Sequence, residues 1–192
     1  MTISLFLILD SVGNITDFLN LIKDLPSGRP KRIIFREMIF ALAIMVVFHF
    51  FGQFLLESLD VGPATVQIAG GIVLFLISIK MVFTHEQRLF TSIDRGEPYI
   101  VPIATPMIAG PSVLATIMFY SYAESSSIKV MTAVMIAWTL SVLVLWLAYR
   151  FREKVSQKLL LALEKLMGLI LTLMSVEMFL KGLKIFITQT SR

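Results

Sequence analysis

Four stretches of the chain are apolar, free of formal charge and about as long as the roughly 20 residues that cross a hydrocarbon core as a helix. Two further stretches, 1–22 and 159–187, are apolar but carry a few charges. Unpaired strand edges cannot sit in lipid, and the runs are continuous rather than alternating, so helices are expected. The sequence predicts an all-α membrane protein, a single transmembrane domain over 1–192 with six transmembrane helices. The four uncharged stretches are Met38–Leu56, Val61–Ile79, Tyr99–Ala123 and Val130–Tyr149.

Composition excludes the common soluble classes. The 192 residues are 57% hydrophobic and 16% charged, whereas a soluble domain is about 45–50% apolar and about 25% charged. A soluble protein of this composition would expose apolar patches that aggregate, and a disordered chain needs low hydrophobicity. The chain has no cysteine, which excludes disulfides and cysteine-ligated metals.

The basic residues alternate from loop to loop. They concentrate between spans one and two, three and four, and five and six, whereas Lys129 alone lies in the other two loops. The positive-inside rule then places both termini outside, on the periplasmic side. The net charge of +4 therefore reflects topology. No nucleic-acid partner is expected, because no basic stripe is interleaved with aromatic residues.

A shift of 97 residues aligns the chain with itself. It places Gly13 on Gly110, and Ser78–Met81 on Ser175–Met178. The first span then matches the fourth and the third matches the sixth. Three spans are an odd number, so the second half enters the membrane upside down, as in many secondary transporters. The alternative is chance similarity among apolar helices. The predicted units are repeat one at about 1–83, a cytoplasmic connecting loop at about 84–97 and repeat two at about 98–187.

Both halves carry residues that interrupt a helix at matching places. In the first span, residues 10–16 are mostly polar or Gly, and their side chains compete for backbone hydrogen bonds. The fourth span contains Pro102, Pro106 and Pro111, and proline removes a backbone donor. Free backbone groups are tolerated in lipid only where they are buried or line a wet cavity. The pattern predicts broken helices 1 and 4 around a midplane solute site. The alternative is that the prolines only kink helices for packing.

The candidate coupling group, for a proton or another cation, is Asp10. A charge at mid-depth costs about 2.5 kcal/mol or more and usually has a function or a partner. Asp10 could equally cap the second half of the broken helix. On an unbroken helix, Asp10, Asn14 and Asp17 would form one polar stripe. Exposed backbone and two polar side chains would hold the substrate. The candidate substrate-binding residues are Gly13, Asn14, Ala109, Gly110, Pro111 and Ser112.

The sequence contains little evidence for an enzymatic active site or a metal site. The two histidines, His49 and His85, have no acidic cluster with metal-ligand spacing around them. No serine triad, phosphate-binding loop or dinucleotide motif is present. We therefore expect no metal, no cofactor and no enzymatic activity. Glu164 and Lys165 are interpreted as a local ion pair or as side chains that reach the membrane interface.

Four blocks of the chain resemble the MarC family of bacterial inner-membrane proteins. The resemblance implies six helices, an inverted repeat and kinship with LysE-type exporters. It also implies transport of small neutral amino acids such as glycine and alanine, coupled to protons. Ser11 and Thr16 stand where the family usually has proline, so the first interruption depends on Gly13 and polar side chains. The four blocks are Leu9–Thr16, Ile68–Leu76, Glu97–Pro111 and Leu163–Leu171.

These observations favour a multi-pass secondary transporter of the bacterial inner membrane that acts by alternating access. Its expected partners are a small amino acid and the lipid bilayer. The alternative is an ion or metal exporter, or a channel-like protein, of the LysE-type superfamily. A membrane-embedded enzyme or an accessory subunit is less well supported. The sequence leaves open the exact substrate, the direction of transport, the coupling ion and the oligomeric state.

Overall fold

The computed structural model describes residues 1–22, 29–83, 108–124, 126–152 and 155–190. Within these ranges the chain forms seven α-helices and no strand. The predicted connecting loop and the first part of the predicted fourth span lie outside the described residues. The helices are α1 (Thr2–Leu9), α2 (Ile15–Ile22), α3 (Arg29–Ser58), α4 (Pro63–Phe83), α5 (Pro111–Ala123), α6 (Ser127–Phe151) and α7 (Gln157–Thr190).

Four of the described helices are long and apolar enough to cross a membrane. They are Phe35–Ser58 within α3, Pro63–Phe83, Ser127–Phe151 and Gln157–Gln189 within α7. Large apolar side chains face outward from them; Phe54 and Leu173, for example, are 69% and 73% exposed. A surface of this kind is stable against acyl chains and not against water. The predicted all-helical membrane fold is therefore confirmed.

The N-terminal apolar stretch folds as two short helices joined by a turn. α1 ends at Leu9 and α2 begins at Ile15, with eight residues in each helix. At 1.5 Å per residue each helix is about 12 Å long. Residues 10–14, called here the 10–14 turn, thus lie near the middle of a stretch that is about as long as a hydrocarbon core is thick.

A shorter helix from each part of the chain packs against long helices from the other part. α2 packs against α6 and α7, whereas α5 packs against α3 and α4. A shift of 97 residues carries α2 onto α5, α3 onto α6 and α4 onto α7, within about four residues at each end except that α7 continues ten residues further at its C-terminal end. The two long helices that contact α2 correspond, under the same shift of 97 residues, to the two long helices that contact α5.

α4 and α7 are antiparallel and approach closely at glycines. A methyl group added at Gly71 would lie 3.0 Å from the Ser175 carbonyl oxygen and 2.9 Å from the Phe179 backbone nitrogen. One added at Gly168 would lie 3.3 Å from the Ser78 carbonyl oxygen and 2.9 Å from a side-chain methyl group of Val82. Small residues allow such backbone proximity in membrane helices.

Hydroxyl groups add polar contacts along the same α4–α7 seam. The Thr172 hydroxyl lies 3.0 Å from the Ser78 hydroxyl and 2.8 Å from the Gly168 carbonyl oxygen. The Ser175 hydroxyl donates to the Thr172 carbonyl at 2.7 Å. Close packing and hydrogen bonds are the forces that associate helices in lipid, where apolar burial alone provides little.

Candidate solute site at the centre of the bundle

The 10–14 turn is enclosed by the bundle. Asp10 is 5% exposed and Ser11 is 1% exposed, and Gly13 is buried as well. α1 packs against α5, α6 and α7. Irregular backbone at membrane depth is tolerated only where protein or a wet cavity covers it. The burial of this turn satisfies that requirement.

Asp10 organises the turn through its backbone and its side chain. Its φ of 47° and ψ of 39° are left-handed, a conformation that aspartate adopts more readily than most residues. Its backbone N–H donates to the Leu7 carbonyl, and its Oδ1 accepts the Gly13 N–H at 3.2 Å. The carboxyl therefore holds the turn itself; α2 begins at Ile15, so the N-cap position of that helix is Asn14.

Two hydroxyl groups close to Asp10 in sequence are buried without a hydrogen-bond partner. They are the Ser11 Oγ and the Thr16 Oγ1, which lie in the turn and in the first turn of α2. Asn14 is half-buried, and its backbone N–H donates to the Asp10 carbonyl at 3.1 Å. Buried hydroxyls are usually paired, because an unpaired one loses its bonds to water. Ser11 and Thr16 are therefore available to bind a solute.

Side chains of neighbouring residues pack closely against Gly13 in the 10–14 turn. A methyl group at this position would meet the tip of Met81 from α4 and would lie 2.5 Å from Asp10 Oδ1. A larger residue would displace the carboxyl or the methionine. Position 13, which the sequence analysis assigned to the site, therefore has room only for a glycine.

The second predicted segment is described from residue 108 onward. Ala109, Gly110 and Ser112 are buried, whereas the ring of Pro111 is exposed. Gly110 is extended, with φ −70° and ψ 166°, and caps α5, which begins at Pro111. The Ser112 carbonyl accepts the Thr116 hydroxyl at 2.7 Å. The chain here enters a helix, with the small residues turned into the protein.

Apolar residues join the two segments. Ile8, Leu9 and Ile15 flank the 10–14 turn and belong to the same buried cluster as Ile108 and Ala109. The side chain of Asp17 and the prolines at 102 and 106 lie outside what the structure describes. The structure thus brings the flanks of both predicted segments into one core.

Glu164 of α7 is half-buried. Met81 of α4 lies between the 10–14 turn and α7. Its tip meets the Gly13 position, and its Cβ lies 3.1 Å from where a methyl group on Gly168 would be. Glu164 is one helical turn before Gly168, on the same face of α7. Its predicted role as a local ion pair or as a side chain that reaches the membrane interface stays a prediction.

The sequence reasoning did not identify the structural role of His49. Its Nδ1 lies 2.7 Å from the Ser121 hydroxyl and its Nε2 lies 2.7 Å from the Ser127 hydroxyl. The Ser121 hydroxyl also lies 2.9 Å from the Ile117 carbonyl oxygen, to which it donates. A neutral ring with its proton on Nδ1 satisfies this network, because Ser121 then accepts and Ser127 donates. His49 therefore connects α3 to the ends of α5 and α6.

The sequence reasoning also missed Glu37. Its side chain is 0% exposed, and its Oε1 pairs with Arg36 at 2.9 Å, while its Oε2 has no hydrogen-bond partner. Glu37 directly precedes an uncharged span, so the sequence offered no sign of which way it faces. Within the described ranges, no three histidine, aspartate or glutamate side chains come together as a metal site.

Similarity to known proteins now decides the family. The model of the MarC family integral membrane protein matches residues 1–187. The chain belongs to the MarC family. A UPF0056 membrane protein of Buchnera aphidicola subsp. Baizongia pistaciae is 44% identical over 188 residues, which are 96% of this chain and 94% of the relative.

Two further relatives extend this result. The UPF0056 inner membrane protein YhgN of Escherichia coli strain K12 is 39% identical over 184 residues, 95% of this chain and 93% of its own. A UPF0056 membrane protein of Chlamydia pneumoniae is 35% identical over 188 residues, 96% of this chain and 93% of its own. No solved structure matches the chain. The resemblance inferred from the four sequence blocks is confirmed, and the chain is an integral membrane protein.

Proposed function

We propose that this protein is a secondary transporter that carries small neutral amino acids, of the glycine and alanine type, across the bacterial inner membrane by alternating access. The observation that carries the proposal is the 10–14 turn. It is buried at mid-span and holds Asp10 and Ser11, and Thr16 follows in the first turn of α2; the hydroxyls of Ser11 and Thr16 have no hydrogen-bond partner. Interrupted helices at the midplane are where secondary transporters bind solutes.

The proposed architecture is a 3+3 inverted repeat with broken helices 1 and 4. Two observations support it. α2 and α5 each pack against two long helices of the opposite half. Gly71 and Gly168 make reciprocal contacts across antiparallel helices. Such reciprocity is expected of a two-fold axis that lies in the membrane plane. With both termini outside, as the basic residues suggest, the halves have opposite orientations.

Each half would supply part of the substrate site. Gly13 and Asn14 come from the first half, and Ala109, Gly110, Pro111 and Ser112 from the second. The N-terminus of α5 begins at Pro111 and favours the carboxylate of an amino acid. The C-terminal end of α1 and Asp10 favour its ammonium group or a coupling cation. A zwitterion would thus find complementary charge between the two halves.

Alternating access requires that the site open to one side at a time. In this structure the 10–14 turn is buried, as an occluded state requires. Rocking of one half against the other would expose the turn to either side in succession. We propose transport rather than catalysis, with the solute released unchanged.

Counterflow tests the proposal. The purified chain in liposomes loaded with unlabelled glycine should accumulate labelled glycine from outside, and Asn14→Ala should reduce the initial rate about tenfold, as expected for loss of a buried hydrogen bond of about 1.4 kcal/mol. Gln53→Ala is the matched control, because this amide is exposed on α3 and donates a hydrogen bond to Glu57 of the same helix. Labelling no greater than in protein-free liposomes would refute the proposal. Ion flux that does not saturate would favour the exporter or channel alternative.

A further inference from the structure

His49, Ser121 and Ser127 form a hydrogen-bonded group, called here the His49 cluster, that joins the two halves of the chain. His49 lies on α3 in the first half, whereas the serines lie on α5 and α6 in the second. The two ring nitrogens of His49 each lie 2.7 Å from one of the serine hydroxyls, and the residue is 5% exposed. The His49 cluster therefore connects side chains that would have to separate if the halves moved apart at α3.

The His49 cluster lies between the core around the candidate site and one end of the bundle. Ser121 is nine residues after Ser112 on α5, or about 14 Å along the helix. One helical turn before His49 and Ser121 are Met45 and Ile117, which are 1% and 0% exposed. Both belong to the buried cluster that contains the flanks of the two predicted site segments. The His49 cluster is thus the next layer outward from this buried core.

The contact between α3 and α5 can separate more easily than the contact between α4 and α7. A methyl group at Gly71 would meet backbone atoms of Ser175 and Phe179, so α4 and α7 pack backbone to backbone. A methyl group at Gly52 of α3 would instead meet the flexible side chain of Met118 of α5. Side-chain hydrogen bonds such as those of the His49 cluster can be exchanged for bonds to water when a gap opens. We therefore expect the halves to pivot at α4 and α7 and to separate at α3.

We propose that the His49 cluster is a latch that closes the solute site toward the membrane face at which α6 begins. The latch rests on the proposed function for its meaning, because only a protein whose halves move needs one. While intact, it holds α3 against α5 and α6 and keeps the 10–14 turn occluded. Ser127 is exposed at the beginning of α6, where water can replace its bond to the ring. Release of His49 from both serines opens a path to the site from that face.

Accessibility of a single cysteine tests the latch without any transport assay. The chain has no cysteine, so Ser11→Cys provides one reporter thiol in the buried 10–14 turn. Right-side-out and inside-out membrane vesicles are treated with a membrane-impermeant maleimide, and mass spectrometry gives the initial rate of labelling. His49→Ala and Ser127→Ala should each raise this rate about tenfold in one type of vesicle and leave it unchanged in the other. We expect the rise in right-side-out vesicles, because the positive-inside rule places the beginning of α6 outside.

Control variants make the result specific to the His49 cluster. Thr132→Ala is the matched control, because this exposed hydroxyl of α6 donates to the Lys129 carbonyl of the same helix. Ser127→Thr keeps the hydroxyl group. Both variants should be labelled at the rate of the reporter alone. If His49→Ala does not fold, Ser121→Ala and Ser127→Ala each remove one of the two bonds and provide the same comparison.

Two results would overturn the latch: latch variants that are labelled at the reporter's rate in both types of vesicle, or variants whose labelling rises equally in both. An equal rise would mean that the substitutions loosen the whole fold. Failure of the proposed function has a different signature, because counterflow is measured on the chain without the reporter cysteine. A rise confined to one type of vesicle, together with no glycine counterflow, would preserve the latch and reject amino acid transport.

Discussion

Gly71 and Gly168 lie 97 residues apart in sequence, and each approaches the backbone of the helix that carries the other. The partners of Gly71 are Ser175 and Phe179, and those of Gly168 include Ser78 and Val82. The same shift of 97 residues converts one contact set into the other. The contacts of the two glycines are therefore related by the same shift of 97 residues that aligns the sequence with itself.

Gly71→Ala should destabilise the protein because its new methyl group would meet backbone atoms of α7, which cannot move without shifting a helix. We expect a net loss of about 1–2 kcal/mol, with overpacking partly offset by the higher helix propensity of alanine. Gly52→Ala is the control, since its close neighbours are all side-chain atoms of Met118. It should stay within about 1 kcal/mol of the wild type. Unfolding midpoints in detergent measure the stability of both variants. An equal loss of stability in Gly71→Ala and Gly52→Ala would contradict the packing described for α4 and α7.

The double variant Ser78→Cys/Thr172→Cys should form a disulfide on mild oxidation. The two hydroxyls are 3.0 Å apart across α4 and α7, and the chain has no other cysteine. Ser78→Cys/Thr188→Cys is the control, because Thr188 is exposed about four helical turns further along α7. Loss of free thiols, measured by mass spectrometry, should occur only in the first pair. Efficient crosslinking of the control would show that α4 and α7 slide past each other.

His49→Ala should lower the unfolding free energy by about 2–4 kcal/mol. The substitution removes a buried ring whose two nitrogens both pair with serine hydroxyls, and it leaves a cavity between α3, α5 and α6. A double-mutant cycle with Ser127→Ala should give a coupling of about 1 kcal/mol. Thermal or denaturant unfolding of the four proteins measures it. Strict additivity would contradict the hydrogen bond from α6 to His49.

Asp10→Asn should fold almost as well as the wild type, whereas Asp10→Val should be clearly less stable. Asparagine tolerates the left-handed conformation at φ 47° and can still accept the Gly13 N–H, but a β-branched residue can do neither. We expect a difference of about 2–3 kcal/mol between the two variants. Unfolding midpoints compare them, and similar values would argue against the turn geometry at Asp10.

Local chemistry explains what could be predicted from the sequence. Uncharged apolar runs mark α3, α4 and α6 because a charge in lipid is costly at any position along the span. Polar residues and Gly13 indicated the change of structure near residue 10, since they compete with helical hydrogen bonds over a few residues. These signals need no knowledge of neighbouring helices.

The remainder depends on contacts between residues distant in sequence. The helices around Glu37 decide whether its side chain faces inward. The apolar run that begins at residue 38 does not indicate in which direction the preceding side chain points. The pairing of His49 with Ser121 and Ser127 spans more than seventy residues of sequence. For Glu164, identity and spacing alone support only a local ion pair or a side chain that reaches the membrane interface.

Substrate protection of single cysteines tests the central claim most directly, namely that the two halves together enclose one solute site. Ser11→Cys, Ser112→Cys and the exposed control Ser58→Cys would be labelled with a thiol reagent in liposomes, with and without glycine. At ten times its half-saturating concentration, glycine should slow labelling at both Ser11 and Ser112 about tenfold and leave Ser58 unchanged. Protection at neither site, or at only one of them, in a protein that performs counterflow would contradict a shared site between the halves.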